Sequence, residues 1–572
     1  MPQSSPETLA DFARNKQLLR NKQPWKALWD LTGEYIHTRK QDFNNDIMPG
    51  EFLNRNLFDS TGPKAAKIAA SSFRAMMWPD SGQKIKMRPP RSLDETLEIK
   101  KYYEFVTDSM SDTMDAPTSG LRTSLDEYFL DDQVTGTAGL EPFLTDENEI
   151  QYRPWGVQHM SIDEGKNGIV NTVHLNISYT VARLVDEYGL DKVSEKVREK
   201  HKKGRFDELI PILIAIKPLQ KINGGPKSGN AAMKFQSRHY EVTTKHLLKR
   251  GGFEDMPIKV GRATKLIGEI YGRSSGMDAL PDVLESNAIW EAVTIAIEKL
   301  LDPPLGVIDA GVLGGEEIDT SAGAINVFNV DGRAGEKNPI FPLFTVGEIK
   351  QVVQLLEALK QSINDHFSLD RLLDFNNKAE MTLGEAQIRD RLRNDTLQSP
   401  ISRKIVEVFN PFIEQTFNMK LARGDFGVLE GSEEQEQAFF LGEDPIVIPD
   451  AVAKLMLEGK DVYRIQYVTP AQRILESEEA TGILRMLEAS NLAADNFPES
   501  LDTVDMDEGL MRLREVVGAP SQMSRAKAAV ATIRVARAEA LEQQQEQEQI
   551  QAASEAARNV GQLGSTPGKA AA

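Results

Sequence analysis

The segment Gly272-Arg273-Ser274-Ser275-Gly276 has the spacing of a catalytic motif. It fits G-x-S-x-G, in which a strand-to-helix turn presents a nucleophilic serine for acyl transfer. That chemistry also needs an acid and then a histidine later in the chain, and the only later histidine is His366, within a predicted long helix. We therefore favour a Gly/Ser turn that caps the helix predicted from residue 278, with a serine hydrolase using Ser274 as the alternative.

The sequence contains no other recognisable pattern for catalysis, cofactors or metals. Its Gly-Lys pairs lack the glycine that a phosphate-binding loop requires, and none of its seven histidines has another four residues away. The absence of cysteine excludes disulfides, thiol nucleophiles and Cys-ligated zinc. We therefore expect a protein that is not an enzyme and that needs no metal or cofactor.

The composition is that of a globular chain with an excess of acid. It has 572 residues, enough for about four domain-sized units. Lys and Arg total 67 against 86 Asp and Glu, so the net charge of −19 argues against a protein that coats DNA or anionic membranes. The apolar run Leu209–Ile216 contains Pro211 and is far shorter than the about 20 residues that span a bilayer. Without a signal-like N-terminus, we expect a protein made and retained in a cytoplasm, or in a particle assembled there.

Helices are predicted where apolar residues recur at helical spacing. Trp25, Trp29 and Thr32 indicate a first amphipathic helix, and Asp59-Ser60-Thr61 offers N-caps for an Ala-rich second one. A long helix is predicted over 279–301, with this set buried: Leu280, Val283, Leu284, Trp290, Val293, Ile297 and Leu300. Another is predicted from Thr345, which forms a capping box with Glu348, to about Phe367.

Between these helices the pattern is mixed. Residues 121–182 combine a helix with short strands, a helix is predicted from Tyr179 to Tyr188, and 305–345 has the glycine-strand alternation of a compact β insertion. The basic run Lys196–Arg205 is best explained as a solvated helix face, with a DNA or partner patch as the alternative. The Gln/Glu-rich tail after Leu541 lacks the aliphatic residues to bury a core, so we expect frayed helix passing into disorder.

Several motifs, in this order, resemble those of the head-to-tail connector, or portal, proteins of short-tailed phages. They are Leu57-Phe58-Asp59-Ser60-Thr61-Gly62, Val134-Thr135-Gly136-Thr137-Ala138-Gly139, Ile270-Tyr271-Gly272-Arg273-Ser274 with Ala279-Leu280-Pro281-Asp282, Asp302-Pro303-Pro304-Leu305, Met381-Thr382 with Glu385, and Tyr467-Val468-Thr469-Pro470-Ala471-Gln472. The similarity covers roughly residues 20–535. Each motif alone is weak, but six in the correct order are fairly specific.

The resemblance implies an α+β, mainly helical protomer that assembles into a ring. The implied segments are a mixed α/β wing (1–277), a first stem helix (278–302), a clip (303–345), a second stem helix (346–367), a tunnel loop (368–382), a return to the wing (383–465), crown helices (466–540) and a Gln-rich tail (541–572). The family forms a dodecameric ring at one capsid vertex, at the head-tail junction of the virion. Implied partners are major capsid and scaffolding proteins, the terminase large subunit, a tail adaptor or tube protein, and double-stranded DNA in transit, with no membrane.

The resemblance also assigns roles to two groups of residues. In the tunnel loop the candidates for contact with DNA phosphate are Arg371, Asn376, Asn377 and Lys378. In the clip the candidates for docking to terminase or tail are Arg333 and Lys337. An acidic channel wall would keep a polyanion from sticking, which would give the negative charge a use. A helical scaffold or adaptor without a pore remains a further alternative.

Overall fold

The computed structural model describes residues 5–37, 56–93, 96–219, 233–308, 318–328, 340–342, 349–369, 397–429, 446–458, 461–470, 482–490 and 505–517, with a few further positions up to 550. Two compact units are present, Met1–Leu475 and Glu476–Ala572. The capping box predicted at Thr345 and, apart from position 550, the Gln-rich tail lie outside the described residues.

Helices form the larger part of the regular structure described in the first unit and all of that described in the second. They are α1 (Pro6–Tyr35), α2 (Thr61–Met77), α3 (Leu97–Asp115), α4 (Leu121–Thr135), α5 (Val181–Tyr188), α6 (Glu195–Lys202), α7 (Ser275–Leu301), α8 (Ile349–His366), α9 (397–422), α10 (Asp450–Leu457), α11 (482–490) and α12 (Met506–Val517). Within α9, the segment Ile405–Phe409 forms a wider π turn before Asn410–Ala422 resumes the α form.

The strands are short and mostly antiparallel. They are β1 (Ile85–Arg88), β2 (Thr137–Leu144), β3 (Ile150–Gly156), β4 (Met160–Glu164), β5 (Val170–Thr180), β6 (Leu209–Pro218), β7 (Phe235–Glu241), β8 (His246–Phe253), β9 (Lys259–Arg262), β10 (Leu305–Ile308), β11 (Ile325–Phe328), β12 (Ile340–Pro342), β13 (Val428–Leu429), β14 (Val447–Ile448) and β15 (Arg464–Tyr467). The fold is therefore mixed helix and sheet, as the α+β prediction requires.

Five sheets arise from these strands. The largest has the order β4-β5-β6-β7-β8, and a three-stranded sheet has the order β3-β2-β9. A second three-stranded sheet, β11-β10-β12, follows the end of α7. The two-stranded pairs are β1 with β15 and β13 with β14, so the chain returns near residue 467 to the region it left near residue 85.

Two hydrophobic clusters hold the first unit. One joins α2, α3 and α4 to the start of α7, the end of α8 and α9, and it includes the fully buried Phe129, Phe409 and Phe412. The other fills the space between α1, α5 and the five-stranded sheet. Both clusters reach α7, so its first half is packed from several directions.

Most predicted elements are confirmed, with shifted ends. The predicted helix from Tyr179 is wrong by two residues, because Tyr179 and Thr180 still belong to β5 and the Thr180 side chain caps α5. The long helix begins at Ser275, before the predicted start at 279. Three strands, rather than four alternations, occur in the described part of 305–345.

The predicted burial along α7 is correct only for its first half and Val293. Leu280, Val283 and Val293 are buried, whereas Ile297 and Leu300 are 41% and 56% exposed. The wrong predictions lie in the last two turns, where the described residues supply too little surface to cover the helix. The periodicity correctly predicts an apolar face, but no described part of the chain covers that face at the end of α7.

Candidate functional site

Ser274 is the N-cap of α7. Its hydroxyl accepts a hydrogen bond from the Met277 amide at 3.1 Å and donates one to the Val134 carbonyl at 2.7 Å, and the residue is 2% exposed. A buried hydroxyl with both contacts made inside the fold serves the helix terminus, where backbone N–H groups otherwise lack partners. The capping interpretation of the G-x-S-x-G segment is confirmed.

His366 has a different partner from the one a hydrolase would require. Its Nε2 lies 3.5 Å from the Asp282 carboxylate, and the Ser362 hydroxyl donates to the same carboxylate oxygen at 2.5 Å. In a catalytic triad the histidine stands between the serine and the acid. Here the acid, Asp282, stands between Ser362 and His366. These contacts fasten α8 to α7, and the serine-hydrolase alternative is not favoured.

Two glycines allow the segments before α7 and after α4 to cross closely. Gly136 ends α4 with φ of +73°, and a Cβ on either Gly136 or Gly272 would approach the other's backbone more closely than the 3.0 Å that real Cβ atoms respect. The Gly272 amide also donates to the Thr137 hydroxyl at 2.9 Å. We call this crossing of Gly136 and Gly272 the glycine junction.

A third motif binds to the side of α7. The Asn287 side-chain oxygen accepts from the Phe58 and Asp59 amides at 2.7 and 3.2 Å, and Ser286 donates to the Asp59 carboxylate at 2.6 Å. Gly62 packs with its Cα against Val283, where a Cβ would have little room. The sequence analysis does not identify Ser286 and Asn287, although two adjacent uncharged polar residues within a long apolar helix are a signal of polar contacts.

The three motifs around residues 59, 136 and 272 thus all contact the first half of α7 or the turn before it. Their shared task is to hold that helix at a fixed place and angle. α8 then packs along it, with Leu356 and Ile363 buried and with the Lys360 ammonium 5.4 Å from the Trp290 ring centre. The two helices therefore pack as one unit.

Beyond this anchored part, aliphatic side chains face outward. Leu301 is 81% exposed and Ile325 is 67% exposed. We call the following set the aliphatic surface: Ile295, Ile297, Leu300 and Leu301 of α7, Ile325 and Ile340 of the adjoining sheet, and Val353 and Leu355 of α8. Single aliphatic residues scattered on a surface need no explanation, whereas larger apolar patches are typical of interaction sites. The eight residues of the aliphatic surface lie near the end of α7, near the start of α8 and in the sheet that follows α7.

The end of α7 leads directly into the sheet β11-β10-β12. The Asp302 carbonyl accepts from the Gly323 amide at 2.9 Å, and the Leu305 amide donates to the Ala324 carbonyl at 2.8 Å. Gly323 has φ of +73° and sits against the Asp302 side chain. The Asp-Pro-Pro segment therefore stops the helix and starts the sheet within a few residues.

The predicted site residues of the clip and tunnel loop cannot be placed in this framework. Arg333, Lys337, Arg371, Asn376, Asn377 and Lys378 lie outside the described residues. The basic run lies on α6 and the turn after it, where Lys200 and Arg205 both pair with Glu208, at 2.6 and 3.9 Å. These neutralising pairs favour the solvated-face interpretation.

Other kinds of site find no support in the part of the chain that the structure describes. Within these ranges, no group of three or more His, Asp or Glu side chains is arranged to hold a metal ion. No described helix combines the length and the apolar character that crossing a membrane requires.

Comparison with known proteins supports the family resemblance that the order of the motifs indicates. The sequence profile of the family described as "Bacteriophage head to tail connecting protein" matches residues 12–432. The "Portal protein" of Salmonella phage epsilon15 is 22% identical over 555 residues, which are 96% of this chain and 94% of the relative. The "Probable portal protein" of Bordetella phage BPP-1 is 23% identical over 560 residues, 96% of this chain and 95% of the relative. The chain belongs to the family of bacteriophage head to tail connecting proteins.

Proposed function

We propose that this head-to-tail connector works as a closed ring of identical subunits, a dodecamer, that forms the DNA channel at one capsid vertex. The observation that carries the proposal is the aliphatic surface at the far end of α7 and α8. A ring supplies each subunit with a neighbour on both sides, which a protomer alone lacks. Head-to-tail contacts that close on themselves leave no such surface free.

The energetics favour covering this surface. Each large aliphatic side chain that goes from water to an apolar contact contributes about 1.5–3 kcal/mol. Because the same contact recurs between all neighbouring subunits of a ring, even partial burial of the aliphatic surface offsets the entropy lost on association. The hydrogen bonds of Ser286, Asn287 and Ser362 hold α7 and α8 in place beforehand, so little further ordering of these helices is needed.

The remaining segments take the roles that the family resemblance implies. α7 and α8 act as stem helices, the sheet β11-β10-β12 acts as the clip, and residues 1–277 and 383–465 act as the wing. The clip, with Arg333 and Lys337, docks terminase and then the tail adaptor. The tunnel loop 368–382, with Arg371 and Lys378, contacts passing DNA, and the helices after residue 466 form the crown.

The location follows from the same role. The ring is built in the host cytoplasm together with capsid and scaffolding proteins and remains in the virion at the head-tail junction. The excess of acid suits a channel through which a polyanion must slide, because tight binding to phosphate would slow its passage.

Electron microscopy of the purified chain in negative stain tests the ring directly. We expect closed particles with a central hole. Solid particles would instead support a helical scaffold or adaptor without a pore.

A pair of matched variants tests the aliphatic surface itself. Leu300→Glu places a charge in the proposed contact, so mass photometry should show rings replaced by smaller species. Leu97→Glu is the control, because Leu97 is also exposed but lies at the start of α3, away from this surface. Intact rings for Leu300→Glu would contradict the assigned interface, while leaving the family membership untouched.

A further inference from the structure

Helix α1 consists of two parts that attach to the fold in different ways. Pro24 lies inside the helix and has no amide hydrogen to donate, so the Arg20 carbonyl has no partner one turn later. Proline also crowds that carbonyl, which weakens the helix at this point. Residues 6–22 lie before the weak point and residues 25–35 after it.

The part after Pro24 is held by aromatic packing. Trp29 is fully buried, its indole N–H donates to the Thr135 carbonyl at 3.1 Å, and its ring meets that of Tyr271 edge to face at 5.2 Å. Trp25 stacks on Trp29 at 5.8 Å. Undocking this part would expose large apolar surface, so it remains in place.

The part before Pro24 is held mainly by polar contacts. Its buried positions recur every three or four residues on one face, and all of them except Leu18 are polar. They are Thr8, Asp11, Asn15, Leu18 and Lys22. We call residues 6–22 the strap. Most solvent-facing helices bury an apolar stripe, so this pattern reverses the usual rule.

Asp11 makes the densest contacts of the strap. Its carboxylate is fully buried and accepts hydrogen bonds from Lys217, from Arg238 at 2.9 Å and from the Tyr240 hydroxyl at 2.7 Å. Burial opposes the charged form, but these donors outweigh it and lower the pKa of Asp11. The three donors lie on β6 and β7, so Asp11 fastens the strap to the middle of the five-stranded sheet.

Further contacts continue along the strap. Asn15 donates to the Asn176 side chain on β5 at 3.0 Å, and Arg14 pairs with Asp163 on β4. The Lys22 ammonium sits among the backbone carbonyls of Val157, Gln158 and Met160, at 2.6, 2.9 and 3.0 Å.

We propose that the strap releases from the sheet as a unit, pivoting at Pro24, while residues 25–35 stay docked. The apolar contacts of the strap include the buried Leu18 and the Phe12 ring, which lies 5.5 Å from the Tyr240 ring. Its other buried groups are polar, so water can replace their partners when the strap leaves. Release therefore exposes far less apolar surface than undocking of an ordinary amphipathic helix. The fold thus contains a reversible cover over one face of β5, β6 and β7.

Hydrogen–deuterium exchange on the full-length chain, in its assembled form, tests this proposal. In the wild-type protein the amides of 6–22 should exchange faster than those of 25–35. Asp11→Asn leaves Lys217 and Arg238 without their buried counter-charge, and should raise exchange in 6–22 on the order of 100-fold. Exchange in 25–35 should not change.

Two further variants control the result. Lys16→Gln removes a charge from the exposed side of the same helix and should leave exchange unchanged. Pro24→Ala added to Asp11→Asn restores the missing donor and stiffens the pivot, so it should reduce the increase on the order of 10-fold. Equal increases in both parts of α1 with Asp11→Asn, or no increase in 6–22, would overturn the proposal.

Discussion

Single side chains at the start of α7 decide how firmly the helix is held. Ser274 both caps the helix and satisfies the Val134 carbonyl, so Ser274→Ala removes two hydrogen bonds from a buried position. We expect a loss of about 1–3 kcal/mol in the free energy of unfolding, measured by urea denaturation. Ser71→Ala is the matched control, because Ser71 is exposed on α2 and should cost little. An equal effect of the two substitutions would contradict the capping role.

His174 should make the stability of the first unit depend on pH. Burial lowers the pKa of His174, the Asp11 carboxylate opposes this, and Lys217 and Arg14 lower the pKa by smaller amounts, so that the net value is about 4 instead of the usual 6.5. Between pH 6.5 and 4, His174 therefore binds a proton in the unfolded chain but not in the folded chain. The free energy of unfolding falls as the pH falls through this window. The loss approaches about 3 kcal/mol.

Thermal unfolding between pH 4 and 7 checks this expectation. His174→Gln should flatten the dependence of the unfolding temperature on pH. His246→Gln is the control, because that imidazole lies near the surface, and it should leave the slope unchanged. His239, whose pKa burial also lowers to about 4, should keep part of the slope in both variants.

At the residue scale, the sequence predicted local roles better than distant ones. The spacing around Ser274 was enough to predict a helix cap, since a cap involves neighbours in the chain. Asn287, Lys22 and Asp11 were not predicted, because their partners lie more than a hundred residues away. A polar residue on a helix signals only that a partner is needed, without saying which one.

Among the elements, the glycine junction sets the angle between α4 and α7. A methyl group at Gly136 would collide with the backbone of Gly272, and flexible side chains cannot absorb that contact. Gly136 also has φ of +73°, which disfavours alanine there. We expect Gly136→Ala to destabilise the fold by about 3 kcal/mol or more, seen as reduced soluble yield and a lower unfolding temperature.

Gly251→Ala provides the comparison. Gly251 lies in β8 with no atom near its would-be Cβ, so the same substitution should be tolerated. Comparable damage at both positions would mean that general glycine loss, rather than the crossing, explains the effect.

The elements themselves were largely predictable from periodicity and turn residues. α2 carries the helical repeat of apolar residues and α7 carries both the repeat and the Ser274 cap, so their existence and type were predicted correctly. The strands around β5 were harder to bound, since Tyr179 suits a strand or a helix and only the Thr180 cap decides. The far half of α7 was predicted as buried because a pattern reveals an apolar face without revealing whether its partner belongs to the same chain.

For the whole molecule, the acid excess gives a prediction about transport. α7 and α8 carry exposed acids at Glu285, Glu291, Glu298 and Glu357. Those that face the proposed channel should hinder DNA movement when replaced by Lys, because a cation there would hold phosphate. Packaging in vitro with each Glu→Lys variant measures the rate of DNA uptake, and Glu→Gln at the same positions controls for simple loss of charge. Unchanged DNA uptake in all four Lys variants would contradict the proposed electrostatic role of the channel wall.

The aliphatic surface has a kinetic consequence for the infected cell. An unassembled subunit exposes aliphatic side chains to every other newly made chain, so closure of the ring competes with aggregation. Ring assembly needs a fixed number of subunits in one orientation, whereas aggregation becomes faster with every rise in subunit concentration. Production should therefore succeed best when subunits are supplied slowly or are guided by another capsid component, and overproduction alone should lower the yield of usable connectors.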